Sequence, residues 1–288
     1  MRMLVFGRNG QVARALKDIG GDAVVTLGRD EADLMRPGAA RDAIATQKPG
    51  IVINAAAYTA VDNAESDEGA ARRLNCEAPE EMAAAAAEAG VPFIHISTDY
   101  VFDGATEGRL DEQAPVNPLN VYGRTKLEGE RAVLKANFSA VILRTSWVFS
   151  EYGANFVKTM LRLAGERDAL SIVADQIGGP TAAADIARAI MAIAGKKHRG
   201  APGAGVYHFQ SAPAVSWASF AEKIFEIAEL PVKVSHIKTE DYPTPAKRPL
   251  NTMLDCAKIE REFGVGQPDW RQELRRVIAA LKQEGHAQ

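Results

Sequence analysis

The feature that most restricts how this chain can fold is an alternation of short, β-branched apolar runs with longer stretches of helical pattern. Leu4-Val5-Phe6, Val24-Val25-Thr26-Leu27, Ile51-Val52-Ile53, Phe93-Ile94-His95-Ile96 and Val141-Ile142-Leu143 are each too short for a helix and are stopped by Gly, Asn, Ser or Arg. Between them lie helical segments such as the alanine-rich stretch from Pro79 to Ala89, ended by Gly90 and Pro92. Continuously apolar strands joined by helices predict a parallel sheet covered on both faces, an α/β fold of the Rossmann-type, doubly wound kind. Around Trp147 the rhythm changes, turn residues multiply (Gly178-Gly179-Pro180, Ala201-Pro202-Gly203, Tyr242-Pro243-Thr244-Pro245) and strand-like runs become rare. Residues 1–150 are therefore expected to form a dinucleotide-binding domain. Residues 151–288 should form a smaller, mainly substrate-binding lobe, with some later elements returning to the main sheet.

Composition removes several function classes. The 47% hydrophobic and 25% charged content is that of an ordinary globular protein. A net charge of -3 without a basic stripe gives no reason to expect nucleic acid as a partner, and the cluster Lys196-Lys197-His198-Arg199 reads as a solvated loop. Cys76 and Cys256 lie far apart with no metal-like spacing, which fits a reducing cytoplasm. The histidines form no HxxxH or HExxH pattern, so no zinc site is expected. No run approaches the length of a membrane span, and the first residues lead straight into a strand, leaving no room for a signal peptide.

Gly7-Arg8-Asn9-Gly10-Gln11-Val12-Ala13 follows the first strand and opens a helical pattern. At such a turn backbone N–H groups can approach a pyrophosphate at a helix N-terminus, with Gly7 permitting the turn, Gly10 the close approach and Ala13 the packing of helix on strand. The spacing is GxxGxxA rather than GxGxxG, and a plain β–α turn is the competing reading; position at the head of an alternating chain favours a dinucleotide. The second strand ends in Gly28-Arg29-Asp30. An arginine there accommodates a 2′-phosphate and an acid holds a 2′-hydroxyl, so Arg29 favours NADPH while Asp30 keeps NADH open. The third strand runs into Asn54-Ala55-Ala56-Ala57-Tyr58-Thr59, whose small side chains leave room either for a ligand or for tight helix packing.

Tyr122-Gly123-Arg124-Thr125-Lys126 is the most informative stretch. Asn117-Pro118 and Leu119-Asn120 precede it as helix-start signals, so Tyr122 and Lys126 share one helix face. An ammonium beside a phenol is expected to draw its pKa down from about 10 toward working pH, fitting it to deliver a proton. YxxxK alone also describes many exposed helix pairs. Ser97-Thr98-Asp99-Tyr100 follows the fourth strand and should emerge at the carboxyl edge of the sheet, where α/β ligands bind. A hydroxyl, a tyrosine and a lysine meeting there make a proton-donating site for carbonyl reduction.

With these motifs the chain resembles the extended short-chain dehydrogenase/reductases, and within them the dTDP-4-dehydrorhamnose reductase branch. The matching stretches are Gly7 to Val12, Asn54 to Asp62, Ser97 to Phe102, Leu119 to Leu127, Arg144-Thr145-Ser146-Trp147-Val148, Asp175-Gln176 with Gly179-Pro180-Thr181, and Tyr242 to Ala246 with Arg248-Pro249. The resemblance implies NAD(P)H-dependent reduction of a keto group on a nucleotide-activated deoxysugar. It implies Thr98, Tyr122 and Lys126 as catalytic residues. Gly7, Gly10, Gln11, Val12, Arg29, Asp33, Leu34, Ala55, Ala57, Tyr58 and Thr59, with Tyr122 and Lys126, would hold the cofactor. Thr98, Asp99, Tyr100 and Trp147 would hold the sugar nucleotide, and Arg248 would clamp its diphosphate. Some members are dimers with a magnesium ion held by interface glutamates; here Ala15 and Ala182-Ala183-Ala184 stand in those places, so no such metal is expected and the chain should be a monomer or homodimer. An epimerase or dehydratase on the same scaffold and a non-catalytic nucleotide-binding regulatory subunit are the alternative functions.

Overall fold

Each of the five apolar runs forms a strand of one parallel sheet. The computed structural model describes residues 1–286 and places these strands as β1 (Met3–Phe6), β2 (Val24–Leu27), β3 (Ile51–Asn54), β4 (Phe93–Thr98) and β5 (Val141–Thr145). The helices among them are α1 (Gln11–Gly20), α2 (Ala39–Gln47), α3 (Val61–Ala64), α4 (Glu68–Arg72), α5 (Ala78–Glu88) and α6 (Val121–Ala136). There follow β6 (Val148–Phe149), α7 (Phe156–Ala164), β7 (Ala169–Val173), β8 (Ile177–Gly178), β9 (Thr181–Ala182) and α8 (Ala183–His198). The chain continues through β10 (Gly205–His208), β11 (Val215–Ser216), α9 (Trp217–Ala228), β12 (Lys233–Ile237), α10 (Ala257–Phe263) and α11 (Trp270–His286).

The six-stranded sheet runs in the order β10-β5-β4-β3-β1-β2, every pair parallel. Its strands are apolar on successive residues because both faces are covered. Val5, Ile53, Ile94 and Leu143 face α1, α8 and α10 through Leu16, Ile186, Ile190 and Phe263. Leu4, Val52, Phe93 and Ile142 face α2, α5 and α6 through Ile44, Met82, Ala86 and Val133. From β1 the chain crosses to β2 on one side and returns to β3 on the other. The loops leaving β1 and β3 therefore diverge and open a crevice at the carboxyl edge.

A third apolar cluster lies apart from the two that cover the sheet, with Phe149, Val157, Met160, Phe220, Ile224, Trp270, Leu274 and Ile278 among its buried residues. Two expectations need correction here. Strands after residue 150 are not rare; they are short, and β8, β9 and β11 have two residues each, so they leave no apolar run to read. Lys196, Lys197 and His198 are not a loop but the last turn of α8, where cations complement the unpaired carbonyl end of the helix, and Lys197 Nζ donates to the Gly203 carbonyl at 2.8 Å.

Candidate active site

One cavity of about 960 Å³ runs along the carboxyl edge from the β1–α1 turn to Trp147 and Trp217. That is the upper end of the size range for a single small ligand. At its first end Gly7 adopts φ +104°, and a Cβ there would lie 2.9 Å from the Ala55 carbonyl carbon and oxygen, so a side chain would break the turn. The N–H groups of Gly7 and Arg8 both donate to the Leu27 carbonyl at 3.0 Å, and Gly10 N–H donates to Gly7 at 2.8 Å. Gly10 caps α1 without a side chain, so the opening N–H groups of the helix face the cavity with no competing acceptor. This cradle suits a pyrophosphate. Arg29 is exposed at the cavity rim and makes no ion pair among the described residues, whereas Arg8 is held by Asp30 and Glu31.

At the other end, β4 and β5 present Thr98 and Thr145 side by side in register. Thr98 Oγ1 donates to Asp99 Oδ1 at 3.0 Å and accepts the Tyr100 N–H at 3.2 Å, so it caps the turn that follows the strand. Asn120 starts α6 by accepting the Gly123 N–H at 2.8 Å, and its own amide donates to the Lys247 carbonyl at 2.7 Å. Gly123 is needed for approach rather than for dihedral freedom, because a Cβ there would meet the Tyr100 carbonyl oxygen at 2.2 Å. The α6 helix thereby brings Tyr122 against Tyr100, ring edge to ring face, with centroids 5.5 Å apart.

Burial sets the electrostatics. It pushes the Tyr122 phenol up to about 12, against the hydrogen bond with Thr98, and pushes Lys126 down to about 8, against the attraction of Glu130. Tyr122 is therefore a proton-bearing phenol at neutral pH. The expected depression of the phenol by the lysine does not hold, for Lys126 Nζ donates to the Ile96 carbonyl at 2.7 Å and desolvation prevails. Burial also lifts Asp99 to about 6, against hydrogen bonds from Thr252 and Thr98. Behind the pair, Arg144 grips Glu130 with two bonds of 2.9 and 2.7 Å, and Ser97 donates to the same carboxylate.

The cavity wall contains Gly7, Gly10, Gln11, Val12, Arg29, Asp33, Leu34, Ala55, Ala57 and Thr59 toward the first turn, and Thr98, Asp99, Tyr100, Tyr122, Lys126 and Trp147 toward the other end. Two candidates lie outside it. Tyr58 is tied by its backbone to Asn75 (2.8 and 3.2 Å), and its hydroxyl points to Asp67 at 3.5 Å. Arg248, expected to clamp a diphosphate, is instead taken up by Asp62 (3.1 and 2.8 Å), Thr244 and the Ala246 carbonyl.

Sequence reasoning passed over Trp217, which stacks on Trp147 with centroids 3.5 Å apart and planes 6° off parallel. Ser216 before it is a helix cap, but nothing local joins residue 217 to residue 147. Trp147 itself has φ +45°, a strained conformation for a large side chain that typically costs roughly 1–3 kcal/mol. The stack and the Thr181 N–H bonded to its carbonyl at 3.2 Å hold it there. Thr145 and Ser146 also line the cavity and were not singled out; buried Thr145 Oγ1 has no protein partner. Among the described residues no cluster of three or more His, Cys, Asp or Glu side chains could hold a metal ion, and no helix is long and apolar enough to cross a membrane.

Comparison with known proteins finds relatives that match nearly the whole chain. A dTDP-4-dehydrorhamnose reductase of Sinorhizobium fredii is 47% identical over 296 residues, covering 99% of both chains. Among solved structures, a dTDP-4-dehydrorhamnose reductase of Clostridium acetobutylicum superposes with a TM-score of 0.92 at 37% identity, covering 98% of this chain and 100% of that one. A dTDP-4-dehydrorhamnose reductase of Bacillus anthracis, solved in complex with NADP, superposes with a TM-score of 0.90 at 34% identity, covering 97% of this chain and 99% of that one. The family model described as RmlD substrate binding domain matches residues 1–283, and the chain belongs to that family.

Proposed function

We propose that this chain reduces the 4-keto group of dTDP-4-dehydro-L-rhamnose with NADPH, giving dTDP-L-rhamnose. The observation that carries the proposal is that one cavity joins a glycine turn at a helix N-terminus to Thr98, Tyr122 and Lys126. The relatives' shared name supplies the sugar. NADPH is favoured over NADH by Arg29 at the rim, which makes no ion pair among the described residues, and by the NADP bound in the Bacillus anthracis relative.

When bound, the cofactor supplies the hydride. The α1 N-terminus would hold its pyrophosphate, Arg29 its 2′-phosphate, and Asp33, Leu34, Ala55, Ala57 and Thr59 would line its length. Tyr122 keeps its proton until negative charge grows on the sugar oxygen, then delivers it. Lys126 as ammonium stabilises the phenolate left behind and holds the nicotinamide ribose. Thr98 hydrogen-bonds the sugar oxygen, Asp99 and Tyr100 orient the ring, and the Trp147–Trp217 stack forms an apolar wall. Residues 1–150 hold the cofactor and also carry the sugar-facing Thr98, Asp99, Tyr100 and Trp147, to which residues 151–288 add Trp217, in a cytoplasmic monomer or homodimer.

The test is one assay, with purified protein, synthetic dTDP-4-keto-L-rhamnose and parallel NADPH and NADH oxidation. One mole of cofactor consumed per mole of sugar is expected, whereas an epimerase or dehydratase would return its cofactor. Tyr122→Phe should lower turnover by about a hundredfold or more. Near-normal turnover in that variant removes Tyr122 as the acid.

A further inference from the structure

Behind Tyr122 and Lys126 lies a buried polar chain with no part in the reduction as described. Asn54, the last residue of β3, accepts the Ala56 N–H through Oδ1 at 3.0 Å, and its Nδ2 lies 3.0 Å from Nδ1 of His95. His95, in β4, is 0% exposed, and its Nε2 lies 3.3 Å from Nζ of Lys126.

The donors and acceptors fix the direction of this chain. Asn54 Oδ1 is taken by a backbone N–H, so the amide turns its NH2 group to the imidazole and Nδ1 must accept. Burial and the nearby lysine hold His95 well below the ordinary histidine range, so the ring is neutral. A neutral imidazole that accepts at Nδ1 carries its hydrogen on Nε2. That N–H points at Nζ, which as an ammonium has three hydrogens and no lone pair. Donor faces donor until the lysine gives up a proton.

The other groups around Lys126 do not remove this conflict. Ile96 of β4 offers a carbonyl at 2.7 Å. Glu130, one turn on in α6, favours the ammonium, but its carboxylate is held by Arg144 of β5 and Ser97 of β4, and Arg144 reaches on to His208 of β10 at 3.4 Å. Tyr122 is a neutral phenol.

We propose that His95, locked by Asn54 as the Nε2–H tautomer, is a positioning residue for the reduction, presenting an N–H to Nζ and so setting how readily Lys126 loses its proton. This rests on Tyr122 and Lys126 being the catalytic pair. Reduction needs the ammonium, so turnover is lost as pH rises through the lysine's pKa of about 8. His95 determines where that alkaline limb falls.

The test pairs pH profiles with direct observation of the ring. In protein labelled with 15N-histidine, the wild-type His95 spectrum should show hydrogen on Nε2. Asn54→Asp, whose carboxylate accepts where the amide donated, should move it to Nδ1. In His95→Gln the side-chain oxygen can turn toward Nζ and accept. The alkaline limb of kcat should then rise by about one pH unit or more, with KM for NADPH unchanged. A residue that merely fills space would lower kcat at every pH without moving the limb. Hydrogen on Nδ1 in the wild type, or a limb in His95→Gln that stays put or falls, overturns the proposal. If the wild type does not reduce the sugar at all, the proposed function fails, and the tautomer measurement still decides the role of Asn54 and His95.

Discussion

Replacing Gly123 with alanine adds one methyl group at the point where α6 meets the β4 turn. That Cβ would sit 2.2 Å from the Tyr100 carbonyl oxygen, a backbone atom that cannot rotate away, against the 3.0 Å below which real Cβ contacts are essentially not found. The helix start must retreat by about 0.8 Å, carrying Tyr122 and Lys126 away from Thr98. A displacement near 1 Å at reacting groups costs about a hundredfold in rate, and overpacking costs roughly 1–3 kcal/mol of stability. The pyrophosphate turn follows another strand and stays in place, so NADPH affinity should fall only by the loss of the Lys126 contact to the ribose, a smaller effect than that on turnover. Gly195→Ala is the control, for it lies inside α8 with only the Arg199 guanidinium near, at 3.5 Å. It should stabilise the protein by roughly 0.5–1 kcal/mol and leave turnover alone. Steady-state NADPH oxidation, fluorescence titration of NADPH and thermal melts of both variants supply the readings. A Gly123→Ala enzyme within twofold of wild-type kcat and with unchanged Tm would refute the close-approach reasoning.

Three further outcomes follow from the site. Native Asp99 keeps its proton to about pH 6 whereas the unfolded chain releases it near 3.8, so stability falls as pH rises between those values, by about 3 kcal/mol in all. Asp99→Asn should therefore raise Tm at pH 7.5 but hardly at pH 4, and equal gains at both would contradict the raised carboxyl. Trp217→Leu removes the stack on Trp147 and should weaken nucleotide-sugar binding by roughly three- to tenfold in calorimetry, with NADPH binding unchanged. Arg248→Ala should leave sugar-nucleotide affinity within twofold while lowering stability by about 1 kcal/mol through loss of the Asp62 pair; a tenfold affinity loss would restore the diphosphate clamp.

What the sequence made legible was local. Strands β1 to β5 could be read because the sheet is covered on both faces and their short runs are almost wholly apolar. The turn at Gly7 and the cap at Asn120 were legible because backbone geometry limits which residues fit there. Whatever depended on distant partners was hidden. Strand β10 carries only Val206-Tyr207 as apolar residues and becomes a strand by pairing with β5. Trp217 acquires its place from Trp147. The pairing of Tyr122 with Lys126 on one helix face was readable, yet the direction of the phenol's shift was not. That depends on how much water the sheet and loops exclude, which residue spacing does not encode.

Gln11, the first residue of α1, extends its amide away from the phosphate cradle. Its Oε1 accepts from Ser150 at 2.7 Å and from Asn155 at 3.1 Å, and its Nε2 donates to the Val148 carbonyl at 3.4 Å, one residue beyond Trp147. A single side chain thus serves as a tie-rod between the wall proposed for the cofactor and the wall proposed for the sugar nucleotide. If strain from one ligand passes along that rod to the other, reciprocity requires the two binding events to alter each other's affinity by the same factor. Cutting the rod, as in Gln11→Ala, would weaken that mutual effect without abolishing it, because both ligands also meet at Thr98, Tyr122 and Lys126 in the same cavity.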